Sequence, residues 1–333
     1  MPRSRNGRAP GGRGRVIAAH ADWSAHPGKR WFALARRRRH GWLAEAPRPV
    51  GDPAALVARL LAEGAPVALG LDLPLGVPRE WAARRPEADF PAFLRALRVD
   101  SPFFVVNEAL ETVSTGRPFY PARGVRGMTR AAHAAALGLS GPSGLSRLCD
   151  RATAERPAGA PLFWTLGANQ TGKAAIAAWR DWLGPALAAA APLDLWPFAG
   201  GLHALLRPGR AVLAEVYPAE AMRHLGVRLG GSKRDRDARR GAGPAIREAM
   251  ARLRVSADAG LDAALAEGFG ADAAGEDRMD CVLGLLALIG MLDGARPDFV
   301  PDDPWVRRWE GWVLGQTALP EGAGARADQD GSA

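Results

Sequence analysis

The sequence predicts an α/β protein in which a mixed sheet is flanked by helices, and three observations predict it. Three short apolar segments separated by turn residues, 15–23, 30–36 and 41–46, follow one another at the spacing of a β-meander. A helix signal (Pro53 to Glu63) and a buried-strand signal (Pro66 to Leu73) then succeed each other directly, the pattern of a strand brought parallel by a right-handed crossover. A further strand pattern at 210–217 leads into a run of helices that ends in the apolar stretch Cys281 to Leu292.

Each element has a local reason. Pro27-Gly28 and the run Arg37-Arg38-Arg39-His40-Gly41 supply the hairpin turns. Asp52 is placed to cap the first helix, with Pro53 at its first position and Leu56, Leu60 and Leu61 along one face. From about 78 to 205 the chain reads as short helices broken by proline and glycine, a helical insertion. Its many aromatic residues, Trp179 and Trp182 among them, suit core packing, with base stacking as the alternative. Pro218 opens a helix to Leu225, and helices are expected over 233–240, 244–254 and 277–292. Residues 1–14 and 316–333 lack apolar periodicity and are expected to be disordered, leaving a single domain over 15–315.

A chain of 333 residues that is 47% hydrophobic can bury one large core or two modest ones. Its longest apolar stretch, Cys281 to Leu292, is well short of the roughly 20 residues of a spanning helix. No signal-like segment follows the N-terminal arginines, so a cytoplasmic protein without membrane contact is expected. Cys149 and Cys281 are the only cysteines, which predicts neither a disulfide framework nor a zinc site. The formal charge is +9, but Arg3, Arg5, Arg8, Arg13 and Arg15 account for five of it, leaving +4 for the rest. Arginine supports phosphate contacts; the simpler reading here is an arginine-rich composition.

Against that background several acids stand in apolar surroundings. Asp72 interrupts Val67-Ala-Leu-Gly-Leu-Asp72-Leu-Pro-Leu, Glu215 interrupts Ala211-Val-Leu-Ala-Glu215-Val-Tyr, and Asp22 closes the first strand. Asp277 and Asp280 open the last apolar helix. A buried unpaired carboxylate costs several kcal/mol or takes up a proton, so acids in core-like strands usually share a cation. Ligand crevices lie at the carboxyl ends of strands in such sheets, and an all-oxygen cluster suits Mg²⁺ or Mn²⁺. Each acid has a structural alternative: an Asx turn for Asp22, an arginine partner for Glu215, and a helix N-cap for Asp277 with Asp280 as capping partner. Asp280 is the better ligand candidate of that pair, since it shares a face with Gly284 and Ala287, where the helix can approach the sheet closely.

Gly230-Gly-Ser232-Lys233-Arg-Asp235-Arg236 reads as a helix start with Ser232 and Asp235 as a capping box and Lys233 beside free N–H groups that could receive a phosphate. Arg236, Arg239 and Arg240 fall on one face of that helix. Gly167-Ala-Asn-Gln-Thr-Gly172-Lys173-Ala174 matches a Walker A loop except that Ala174 replaces the Mg²⁺-binding hydroxyl, so a tight helix-capping turn is favoured. No Gly-x-Ser-x-Gly elbow or dinucleotide fingerprint is present.

The segments Asp22-Trp23, Gly70-Leu-Asp72-Leu-Pro-Leu-Gly76, Glu215-Val-Tyr-Pro218, Lys233 with Arg236 and Arg240, and Asp277-Arg-Met-Asp280 resemble the domain-of-unknown-function family 429, predicted nucleases of the ribonuclease-H-like fold. The resemblance runs from residue 15 to about 295. It implies five strands in the order 3-2-1-4-5 and divalent metal held by Asp22, Asp72, Glu215 and Asp280, with Asp277 adjoining. It also implies that Lys233 contacts substrate, with Arg236 and Arg240 nearby. His20 departs from the family's Gly-x-Asp and has no assigned role. The expected function is a two-metal nuclease acting on nucleic acid; the alternatives are a nucleotide-dependent phosphotransferase and a non-catalytic nucleic-acid-binding module.

Overall fold

The computed structural model describes residues 15–166 and 171–321. The N-terminal arginine segment and most of the Gly167–Lys173 loop therefore lie outside the described residues. The rest is a mixed α/β structure with eight strands and eleven α-helices among those residues. The meander is β1 (Ile17–Asp22), β2 (Trp31–Arg38) and β3 (Gly41–Ala44), with a two-residue β4 (Arg48–Pro49) on β2. The Pro53–Leu61 helix begins as expected, Asp52 accepting from the Ala55 amide at 2.7 Å. It leads to β5 (Val67–Leu71), parallel to β1. Then come β6 (Leu193–Leu195), β7 (Ala211–Glu215) and β8 (Val255–Ala257), giving the order β6-β7-β5-β1-β2-β3-β8.

Side-chain alternation divides the interior into two cores, one on each face of the sheet. Ile17, Ala19, Leu34, Leu69, Leu71 and Leu213 point toward the aromatic insertion. Ala18, Ala33, Ala35, Ala68, Val212 and Ala214 point toward the Gly275–Leu292 helix. The small residues belong to the second face because that helix, buried along nearly its whole length, lies directly on the sheet.

Three expectations require correction. The helices foreseen at 233–240 and 244–254 are one helix, Arg236–Arg252, running through Pro244. Proline forfeits one backbone hydrogen bond there, and burial of Ala242, Ile246, Ala249 and Met250 along a single face carries the helix past it. The segment to 205, read as mainly short helices, also contains β6, whose three residues are too few to show a period. The domain also continues past 315: Gln316 is buried, and its carbonyl accepts from the Trp312 indole at 2.8 Å. No helix among the described residues is long and apolar enough to cross a membrane.

Candidate functional site

The parallel strands β1, β5 and β7 end together. The Asp72 amide donates to the Ala21 carbonyl at 3.0 Å and the Val216 amide to the Leu71 carbonyl at 2.9 Å, so Asp22, Asp72 and Val216 stand level. Alternation then assigns their faces. Asp22 follows Ala18 and His20, and Asp72 follows Ala68 and Gly70, on the face that meets the Gly275–Leu292 helix. Glu215 pairs in register with Leu71 and so shares the opposite face with Ala211 and Leu213.

His20, without a role in the sequence, sets the distance between helix and sheet. Its buried ring lies against Gly284 so closely that a Cβ there would fall 2.3 Å from Nε2, and Nε2 sits 3.1 Å from the Val216 carbonyl. Burial lowers its pKa to about 4, so the ring is neutral and Nε2–H is the donor. Two residues of strand span about 6.6 Å and four residues of helix about 6 Å. With His20 opposite Gly284, Asp22 therefore comes opposite Asp280.

The three carboxyl groups repel one another in a site where Asp22 and Asp280 are buried and Asp72 is partly buried. Asp22 and Asp72 stand side by side at adjoining strand ends, and the charge of Asp72 adds to the rise of Asp22. Burial, then the charges of Asp72, Asp280 and Asp277, holds Asp22 well above the usual carboxylate range. Burial and then Asp280 push Asp72 up to about 7, against the pull of Lys233. Asp280 is raised to about 6 by burial, opposed by the Lys233 ammonium, whose Nζ lies 2.6 Å from Oδ1. Asp277, half-buried, adds repulsion but caps nothing; the helix N-cap is Ala274.

Glu215 is not brought into this group. Both its oxygens accept from Arg147 at 2.7 Å, and Oε2 also accepts from the Leu75 amide at 2.8 Å. Arg147 is wholly buried, binds Asp150 through Nε and Nη2, and donates to the Tyr217 hydroxyl at 3.0 Å. Glu215 still raises Asp72 through space. Arg147 and Asp150 were invisible in the sequence because their short 3-10 turn carries no periodicity and belongs to the insertion.

Asp72 and Asp280 open on a cleft of about 690 Å³ whose lining also includes Trp23, Lys233, Arg156 and Thr171. Trp23 stacks on Trp182 with centroids 5.2 Å apart, and Arg30 covers its other face at 4.4 Å. Of the basic candidates only Lys233 reaches the cleft. Arg236 donates to the Glu267 carbonyl and Arg240 pairs with Asp237. Arg239, read as one of an exposed basic row, is buried and binds the carbonyls of Lys233, Gly268 and Gly270 at 2.6–2.8 Å, fixing the loop that presents Lys233. The expected capping box does not form: Asp235 is the N-cap, and Ser232 accepts from Arg234 instead.

Among the described residues no group of three or more His, Cys, Asp or Glu side chains is placed to hold a metal ion. The donor type of Asp22, Asp72 and Asp280, all carboxyl oxygens that repel one another beside one ammonium, is that of a hard cation's ligands. Comparison of the chain with protein-family models, with curated proteins and with solved structures gives no match.

Proposed function

We propose that this cleft is the active site of a divalent-metal-dependent nuclease, hydrolysing phosphodiester bonds of nucleic acid with Mg²⁺ or Mn²⁺. The observation that carries the reading is the gathering of Asp22, Asp72 and the Lys233-bound Asp280 at the carboxyl ends of parallel strands. Acids crowded in this way, with one ammonium as counter-charge, are costly unless a cation joins them. Asp22, Asp72 and Asp280 would hold it, and its chemistry is Lewis acidity toward a phosphoryl oxygen. A two-metal arrangement would further draw on Asp277.

The protein's own groups supply the rest. Lys233, held by Asp280 and aimed by the Arg239-bound loop, becomes a donor for charge developing on the phosphate once a cation competes for Asp280. Trp23, wedged between Trp182 and Arg30, forms a rigid apolar wall beside the acids. Glu215 acts from behind by fixing the Leu75 amide, and with it the turn that follows Asp72. The central order β3-β2-β1-β5-β7, with β2 antiparallel to both neighbours, supports a ribonuclease-H-like core of the 3-2-1-4-5 kind, to which β4, β6 and β8 are additions.

The test is a cleavage assay with Mg²⁺ or Mn²⁺ on single-stranded, duplex, hybrid and branched substrates, paired with calorimetric titration of Mn²⁺. Asp72→Asn is expected to abolish both signals; cleavage that survives it removes the assignment. Nucleotide-dependent phosphotransfer has one observation in its favour: Thr171 and Ala174, in the helix after the Gly167–Lys173 loop, line the same cleft. Thermal stabilisation by ATP that is lost in Lys173→Ala would favour it.

A further inference from the structure

Four exposed arginines lie together at the end of the sheet away from the acids. There β1 begins, β2 ends and β3 begins. Ile17 pairs with Arg36, and the Arg37 amide donates to the Val16 carbonyl at 2.9 Å, so the antiparallel register sets Arg15 beside Arg38. Both are near enough to Glu63 to lower its pKa, after its hydrogen bond to Arg36. Arg38 faces Gly41 across the hairpin, and Gly41 packs against the backbone of Arg254, whose carbonyl accepts from the Trp42 amide at 2.9 Å. Arg39 and His40 form the turn between them.

Neighbouring arginines at this pole are neutralised: Arg36 by Glu45 and Glu63, Arg37 by Asp293, and Arg252 by Glu248. Arg15, Arg38, Arg39 and Arg254 are exposed and make no ion pair among the described residues. The adjoining residues 1–14 add Arg3, Arg5, Arg8 and Arg13 and no acid. Four unpaired charges among the described residues thus belong to this pole.

We propose that this pole is an anchoring surface for the phosphate backbone of a nucleic acid. Arg38 on β2 and Arg254 at the start of β8 are two strand spacings apart, about 10 Å, which suits successive phosphates of a polymer rather than a single phosphate. All four charges are guanidinium forks matched to phosphate oxygens. An anionic membrane is the poorer fit, because the exposed large apolar side chains, Val99, Val105, Trp305 and Leu319, lie in other segments and leave nothing here to insert. The length of β1, roughly 17 Å, separates the pole from the acids, so the surface holds a strand near the protein without occupying the cleft. It stands independently of hydrolysis.

The test is fluorescence anisotropy of the full chain with labelled single-stranded and duplex oligonucleotides in EDTA, from 50 to 300 mM KCl. Wild type is expected to bind with steep salt dependence. The variant R38Q/R39Q/R254N, its asparagine chosen for the positive φ at 254, should bind at least tenfold more weakly at 50 mM KCl, with a log–log salt slope shallower by about 2–3. If the triple variant misfolds, R39E alone should still weaken binding several-fold. Unaltered affinity and slope in the variant, or binding to phosphatidylserine vesicles without binding to oligonucleotides, overturns the proposal. Because EDTA removes any metal-dependent step, failure here leaves the nuclease reading intact, and loss of cleavage in Asp72→Asn leaves this surface intact.

Discussion

Arg147 and Glu215 form a two-pronged ion pair, both N–O distances 2.7 Å, with neither side chain exposed to solvent. The pair ties the end of β7 to the aromatic insertion and occupies the carboxylate that would otherwise stand behind Asp72. Removing one partner strands the other without water. Arg147→Met is therefore expected to cost about 3–5 kcal/mol in urea unfolding, and R147M/E215L to recover part of that loss.

The same pairing separates Glu215 from the other acids in function. Glu215→Gln should lower stability yet retain measurable Mn²⁺ binding by calorimetry, whereas Asp72→Asn should abolish it. An equal loss of affinity in both variants would return Glu215 to the ligand set.

The raised carboxyl groups make the cation-free protein sensitive to alkali. Asp72, pushed to about 7, and Asp280, pushed to about 6, have folded pKa values above those of the unfolded chain. Their protonated forms therefore favour the fold, a contribution present in full below about pH 4 and lost as pH rises through 7. In EDTA the melting temperature should fall between pH 5 and 8, with a shallower fall in Asp72→Asn. Saturating Mg²⁺ or Mn²⁺ should restore the wild-type value at pH 8, since metal binding takes the place of the protons. A wild-type slope unchanged by the substitution would refute this origin.

His20 and Gly284 act as a spacer pair. Gly284→Ala places a methyl 2.3 Å from the imidazole and is expected to destabilise by about 1–3 kcal/mol, with H20A/G284A more stable than G284A alone. The helix shift in Gly284→Ala should also displace Asp280 from Asp22, so Mn²⁺ affinity should fall together with stability.

Lys233 is aimed by a residue that does not touch the cleft. Lys233→Met should lower turnover by about 10²-fold with folding preserved. Arg239→Met should reproduce part of that loss in kcat with little change in KM, while costing stability through three released carbonyls. Full activity in Arg239→Met would show that the loop needs no such support.

The sequence by itself determined the elements whose signals are local. These include the meander, the Asp52-capped helix, the buried strands ending at Asp72 and Glu215, and the apolar helix whose Gly284 face admits the sheet. It also marked Asp22, Asp72 and Asp280 as acids in apolar surroundings, because that anomaly is visible within a few residues. Only the tertiary structure decided which acids meet. Side-chain direction alternates with a period of two, so the register of β5 against β7, set by residues far apart in the chain, turned Asp72 to one face and Glu215 to the other. No local pattern encodes that register. Nor does one show that Arg239 is buried while Arg38 and Arg254 come to the same end of the sheet, because these outcomes depend on which distant carbonyls, or none, each guanidinium meets when the layers close.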